Sequence, residues 1–549
     1  MKKLPIGIDD FVKLVEDGYY YVDKTMLIAD LLEHGGEVVV LERPRRFGKT
    51  LTLQMLFHFF DISRAETSRP IFEKLAIGNT QYMSELGKYP AVFMSYKDIQ
   101  ARNMQQFRTN FHKSIRYYLS ECSFLLDRLG PGDTEVFHDL VKNENSIFLN
   151  NALFFLTKFF STYYNQRVVL LVDEIESLSA YCESEEAYEE MSAFLRILYS
   201  SVTKSNPYLK FCLMCGIMRS SREGYFTDVT NARFVSVVDE GFETVCGFTT
   251  EEVQTALAQY GLSQYADAVH EWYGGYKFGG TEIYNPWSVV QFIAIKRFAP
   301  YWVQTSNDEV INFIFRMSLD TVYHDMFNLF NGESIRKFVF KSLPFRDLMA
   351  RKKIWTLLLF NGYLTAEQVF DETGYCQLSL PNKETFLFFQ NGFYEKFIGL
   401  NNLHFEELLN SLRGNNLKGE NSFETNFQEI FKARLPEFTA ENQEVFYYGM
   451  IGCMVLALKD EYKCYTNIEG KTEKIELILE PKDKNRDGFV FSFKMVGIGG
   501  SFRETMEEGL KGIDQKKYRT LFFENGVKRA SAVAIAIYED ILRVSCVTL

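Results

Sequence analysis

Hydrophobic and polar positions follow two regimes along this chain. Short apolar runs, Val38-Val39-Val40-Leu41, Tyr89-Pro90-Ala91-Val92-Phe93-Met94-Ser95-Tyr96, Val168-Val169-Leu170-Leu171-Val172 and the Leu209–Gly216 segment, read as buried strands. Between them lie stretches with helical spacing: residues 11–34, the segment opening at Leu51, most of Asn103–Tyr164 apart from a break at Gly130-Pro131-Gly132-Asp133, and Glu185–Ser200. This alternation predicts an α/β fold, a mostly parallel sheet with helices on both faces. Such sheets bind ligands at the carboxyl ends of their strands. Lys49, Asp173 and the residues after Gly216 therefore share one rim.

From Thr249 to Trp302 the pattern changes to helices joined by aromatic turns, and Thr249-Thr250-Glu251-Glu252 reads as a helix start with Thr249 as cap. Trp272, Tyr273, Tyr276, Trp287 and Trp302 read as packing residues rather than a ligand cage. Residues 306–440 are helix-rich and poor in motifs, with Gly414–Ser422 the best linker candidate. Residues 440–549 alternate again: a helix over 444–450, strands over 474–480 and 489–494, a helix over 502–518 and a strand over 530–538.

The strand at Val38 runs into Glu42-Arg43-Pro44-Arg45-Arg46-Phe47-Gly48-Lys49-Thr50, and a helix follows through Leu51. Strand, loop, Gly-Lys-Thr and helix is the setting of a phosphate-binding loop. Backbone N–H groups at a helix N-terminus point at an anion, and the helix dipole favours negative charge there. Arg43, Arg46, Phe47, Gly48, Lys49, Thr50 and Leu51 are the candidate nucleotide-binding set. Lys49 would reach the β- and γ-phosphates, and the Thr50 hydroxyl would hold Mg²⁺. Arg43 departs from the usual pattern, G-x-x-x-x-G-K-[ST], at its first glycine. With Arg45 and Arg46 it forms a basic patch that reads as a phosphate or partner-subunit contact, with solvated charge as the alternative.

A second motif supports the first. Val168–Val172 ends in Asp173-Glu174, where Asp173 would join the Mg²⁺ shell and Glu174 would orient or activate water. Arg219 and Arg222, just past the Leu209–Gly216 strand, are candidate sensors of the γ-phosphate, with ordinary surface arginines as the alternative. Cys212 and Cys215 have C-x-x-C spacing, but no second pair or histidine cluster accompanies them, so packing is preferred over metal binding.

Composition sets outer limits. With 549 residues, 46% apolar and 24% charged, the chain reads as several globular units. It has no uninterrupted membrane-length apolar run and no signal-like start, and its nine cysteines lack framework spacing, which together point to a cytoplasmic protein. The net charge of −12 speaks against a generally basic nucleic-acid binder and leaves room only for a local basic channel. The oligomeric state is open, and an oligomer is compatible.

Tyr21-Val22-Asp23-Lys24-Thr25 followed by Arg43-Pro44-Arg45-Arg46-Phe47-Gly48-Lys49-Thr50 resembles the start of a bacterial AAA-ATPase-like family. Matches continue in order through Tyr89-Pro90-Ala91-Val92, Val172-Asp173-Glu174, Cys246-Gly247-Phe248-Thr249, Trp272-Tyr273-Gly274-Gly275-Tyr276, Tyr284-Asn285-Pro286-Trp287-Ser288 and Tyr301-Trp302-Val303-Gln304-Thr305-Ser306. In this family the Arg-Pro-Arg-Arg-Phe form of the loop is the normal one. The resemblance implies an AAA-like P-loop NTPase domain over 1–248, a helical lid and middle region over 249–425, and a restriction-endonuclease-like PD-(D/E)XK domain over 426–549. ATP and Mg²⁺ are the implied cofactors.

A PD-(D/E)XK site needs two carboxylates for Mg²⁺ and a lysine near the scissile phosphate. Here Glu476 stands at the first acid position, Ser492 at the second and Lys494 at the lysine, while the family's helical glutamine falls at Gly512. A neutral hydroxyl is a poor Mg²⁺ ligand. The resulting expectation is an ATP-binding, ATP-hydrolysing protein whose nucleotide state controls a nuclease-like domain that has lost catalysis. An active ATP-regulated nuclease, with its missing carboxylate supplied by Glu444, Glu507 or Glu508, is one alternative. A non-enzymatic scaffold is the other.

Overall fold

Strands whose residues are apolar on both faces need cover from both sides. In the computed structural model β1 (Val38–Glu42), β2 (Ala91–Ser95), β3 (Val168–Asp173), β4 (Leu209–Gly216) and β5 (Ala232–Val235) form one sheet in the order β2-β3-β4-β1-β5, every pair parallel. The structure describes residues 2–97, 99, 101–175, 184–217, 226, 228–303, 320–340, 353–370, 373–399, 403–434, 443–468, 475–497, 499–513, 515–539 and 541–549. Every residue of β1 and β3 is buried. One face of the sheet, carrying Val38, Val40, Leu170, Val172, Cys212 and Met214, packs with Phe111, Ile115, Leu156, Phe159, Leu195 and Leu198 of three long helices. The other face receives the helix Lys49–Phe60, where Phe60 meets Phe211 edge-on at 5.2 Å.

The chain divides into two compact units, one of residues 1–305 and 336–384, the other of 306–335 and 385–549. Residues 249–425, expected as a lid and middle region, contribute to both units. The capping box at Thr249 is present, with both reciprocal bonds to Glu252. Glu252 also takes Lys24 Nζ at 2.7 Å, and Asp23 accepts from Thr25 N, Thr25 Oγ1 and Ala76 N. The Asp23-Lys24-Thr25 motif thus fastens the chain entering the sheet to the helix Thr250–Gln259. Two hairpins, Tyr276–Phe278 with Thr281–Ile283 and Thr365–Phe370 with Tyr375–Ser379, stand where helices and turns were expected.

Glu384, the last residue of the first unit, is fully buried. Its Oε1 accepts the N–H of Trp302 at 2.8 Å and that of Tyr301, and its Oε2 accepts the Ser288 hydroxyl at 2.8 Å. Burial, outweighing these hydrogen bonds, pushes the carboxyl from 4.5 up to about 7. A carboxyl raised on folding holds its proton more tightly in the native state between those values. Its contribution is therefore present below pH 4.5 and lost as pH rises through 7, by about 3 kcal/mol. Glu384→Gln keeps an acceptor for both N–H groups and cannot ionise. Thermal melts should show the variant gaining on wild type from about pH 5 to about pH 8; a constant gap would mean that Glu384 does not titrate in this range.

The second unit contains β6 (Tyr462–Ile468), β7 (Ile475–Pro481), β8 (Gly488–Met495), β9 (Ala530–Tyr538) and β10 (Ile541–Thr548), in that spatial order. Only β8 and β9 are parallel, and the helices Phe502–Gly512 and Gln515–Glu524 form their crossover. Val490, Ile478 and Ala532 pack on Tyr518 and Phe522 on one face, while Phe491 meets Phe423 at 5.6 Å on the other. The helix expected over 502–518 is thus two helices, that expected over 444–450 extends across Gln443–Leu458, and β6 and β10 are additional. Gly414–Ser422 is a correction. It joins the helices Leu403–Arg413 and Phe423–Arg434 inside one unit and is knitted by Ser411 Oγ–H to Asn421 O and Ser422 Oγ–H to Gly419 O, so it is an ordered helix connection, not a linker. Among the described residues no helix is long and apolar enough to cross a membrane.

Candidate phosphate-binding site

The loop between β1 and the helix Lys49–Phe60 is shaped by two left-handed residues, Arg46 at φ 67° and Gly48 at φ 90°. A Cβ on Gly48 would meet no atom within 4 Å, so backbone conformation, not crowding, demands glycine there. Arg43 is absent from the positive-φ residues. The first position of this loop therefore has no conformational need for glycine, which is why an arginine fits it. Among the described residues no side chain caps the helix at Gly48, and N–H groups at such a helix start suit an anionic acceptor.

Lys49 is buried and donates from Nζ to Arg43 O and Pro44 O, both at 2.9 Å. Thr50 Oγ1 donates to Asp173 Oδ2 at 2.5 Å. The two motifs separated by 123 residues thus meet, with β4 lying between their strands. Asp173 is buried, and desolvation pushes its carboxyl above the ordinary range, with the nearby Glu174 adding to the shift and the Thr50 hydrogen bond and Lys49 opposing it. A second cation at that carboxylate would be favoured for the same reason. Glu174 turns out of the strand at φ 56°, and its N–H donates to Asp173 Oδ1 at 3.0 Å. The hydroxyl and carboxylate oxygens of Thr50 and Asp173 are the hard donors that Mg²⁺ takes.

Arg43 needs correction as a phosphate or partner contact. Its guanidinium is fully buried and donates to three backbone carbonyls: Glu42 at 2.9 Å, Val235 at 3.2 Å and Phe242 at 2.8 Å. Phe47 is also buried, against Tyr276 and Phe278. Arg45 and Arg46 are exposed, and the Arg46 guanidinium lies 4.6 Å over the Trp287 ring. Leu51 is half-buried in the first helical turn. The candidate sensors Arg219 and Arg222 lie outside the described residues. Cys212 and Cys215 are buried in β4 with both thiols pushed up by desolvation, which makes them packing residues. Sequence reading missed Val235, Phe242 and Phe278, and it placed Gly247 only within the Cys246–Thr249 motif, with no link to the loop.

In the second unit Glu476 lies in β7, opposite Ser492 in the β7–β8 register. Ser492 is fully buried, and its Oγ meets no hydrogen-bond partner among the described residues. It sits under Gly509, where an added Cβ would stand 3.6 Å from that Oγ. Lys494 Nζ pairs with Glu508 Oε2 at 3.3 Å, Glu507 pairs with Arg503, and Glu444 lies in the first turn of the helix Gln443–Leu458. Among the described residues no group of three or more His, Cys, Asp or Glu could hold a metal ion.

A five-stranded parallel sheet with a glycine-shaped loop, a buried lysine and a threonine–aspartate pair at its carboxyl rim defines a P-loop-like α/β core. Residues 5–226 match the model of the AAA-ATPase-like family, described as predicted AAA-ATPase. The chain is also similar to an uncharacterized protein in the vnfD 5′ region of Azotobacter chroococcum mcd 1, 28% identical over 306 residues, which is 55% of this chain and 54% of that protein. The match therefore spans about half of the relative's length. The family's description points to ATP binding over the N-terminal region.

Proposed function

We propose that the first unit binds ATP with Mg²⁺ at the rim formed by Gly48–Leu51 and Asp173-Glu174, and hydrolyses it. The observation that carries this reading is the Thr50–Asp173 hydrogen bond of 2.5 Å beside a buried lysine at an uncapped helix N-terminus. Helix N–H groups and Lys49 would bind the phosphates, and Thr50 and Asp173 would hold the metal between them. Mg²⁺, when bound, supplies charge that neutralises phosphate oxygens. Glu174 would orient the attacking water and accept its proton. Calorimetric titration with ATP, with and without Mg²⁺, followed by a phosphate-release assay tests this. Metal-dependent binding with turnover is expected; no binding under either condition would overturn it.

In the same reading the second unit is a nuclease-like fold without nuclease chemistry, and nucleotide state acts on it by shifting its population of conformations. Burial of Ser492 supports the loss of catalysis, since a hydroxyl with no exposed surface reaches no phosphate. Pairing of Lys494 with Glu508 supports it too, because the lysine's charge is already answered. Purified protein with Mg²⁺ should leave linear and circular DNA intact. Robust cleavage that disappears in Lys494→Ala would instead establish the active-nuclease reading.

A further inference from the structure

The phosphate loop carries two buried side chains that point away from the rim. Arg43 sends its guanidinium under the loop to Val235 O and Phe242 O, and that group lies 5.0 Å from the Phe278 ring centroid. Phe47 sits on the same ring at 5.2 Å and on Tyr276 at 5.1 Å, and its carbonyl accepts the Gly247 N–H at 2.9 Å. A Cβ at Gly247 would stand 2.2 Å from Ile283 Cγ2 and 3.1 Å from Phe47 Cδ1, so the seat is closed to any larger residue. The loop is therefore held by two pegs in one receptor, and Phe278 touches both. The pegs bracket the working part of the loop. The carbonyl of Arg43 is one of the two that Lys49 Nζ holds, so moving the peg moves the lysine's seat.

Resting on the nucleotide-binding reading above, we infer that Arg43 and Phe47 are positioning residues for the phosphate loop, and that their receptor is built by Val235, Phe242, Gly247, Tyr276 and Phe278, all beyond the segment 5–226 that the family model covers. The receptor acts on nucleotide affinity through the loop, without touching the nucleotide. A loop fixed in its binding geometry before the ligand arrives spends none of the binding energy on ordering. The segment 5–226 alone lacks the partners of both pegs and would leave the Arg43 guanidinium without two of its three acceptors.

The test uses the full chain and Mg-ADP as probe. Phe278→Leu should weaken Mg-ADP binding by about tenfold or more, because both pegs loosen. Phe292→Leu, an equally buried change in the separate core around Tyr273 and Val289, should leave affinity within about twofold. Equal affinity in wild type and Phe278→Leu would overturn the inference, as would an equal loss in both variants. Hydrogen exchange on wild type decides even where a variant fails to fold. Mg-ADP should slow exchange at Gly247 and across 276–283 as well as in the loop. Slowing confined to residues 43–51 would overturn the inference. Absence of any binding of Mg-ADP or of ATP by wild type would overturn the nucleotide reading itself, and this inference with it.

Discussion

Lys49→Ala should weaken ATP binding by at least about a hundredfold while leaving the fold in place. The ammonium now spans Arg43 O and Pro44 O, so it is already at the mouth of the loop when phosphates arrive. Exchanging those neutral carbonyls for anionic phosphate oxygens adds ion–ion attraction to bonds the ammonium already makes, and two bonds to charged groups, each worth about 1.5–3 kcal/mol, set the scale of the loss. In the ligand-free protein the same substitution removes two bonds from the ammonium to backbone carbonyls and costs about 3 kcal/mol of stability. Titration calorimetry beside a thermal melt separates these effects. Affinity equal to wild type would show that Lys49 is a structural tie of the loop and nothing more.

Glu174→Gln should bind ATP as wild type does and hydrolyse it about 10²–10⁴ times more slowly. Two neighbouring acids are placed differently here. Asp173 is buried with both oxygens engaged, Oδ2 by Thr50 and Oδ1 by the Glu174 N–H. Glu174 leaves the strand in a left-handed conformation that a non-glycine residue adopts only when its surroundings enforce it. That division suits a metal-side carboxylate and a water-side carboxylate. Single-turnover phosphate release at saturating ATP reads the chemical step. Turnover equal in the two proteins would remove Glu174 from the role of base.

The core strands and the meeting of Thr50 with Asp173 were legible in the sequence because each strand is a continuous apolar run and each candidate residue stands at, or just after the loop from, its carboxyl end. The destination of Arg43 was not legible. Its partners lie 192 and 199 residues away, and only the folded chain brings them under the loop. The β5 strand escaped notice because only Val235 of its four residues is buried and the run includes the exposed Arg233. β6 was missed because Tyr462–Ile468 mixes Lys463, Thr466 and Asn467 among its apolar residues. Gly414–Ser422 looked like a linker from its glycine and asparagine content, yet those residues supply the turn conformations and local hydrogen bonds that order a helix connection. A neutral serine at position 492 was readable, whereas its burial under Gly509 follows from the packing of a helix.

The placement of Glu384 has a consequence for synthesis on the ribosome. Its carboxylate accepts from Ser288, Tyr301 and Trp302, which are made 96, 83 and 82 residues earlier. At roughly 5–20 residues per second those donors wait on the order of 4–20 s for their acceptor. During that interval every residue of the sheet β1 to β5 has already been made, while the first unit still lacks this buried carboxyl. Its closure is therefore timed by a residue translated well after the phosphate loop, and a nascent chain halted before Glu384 would hold the completed sheet beside an unfinished clasp.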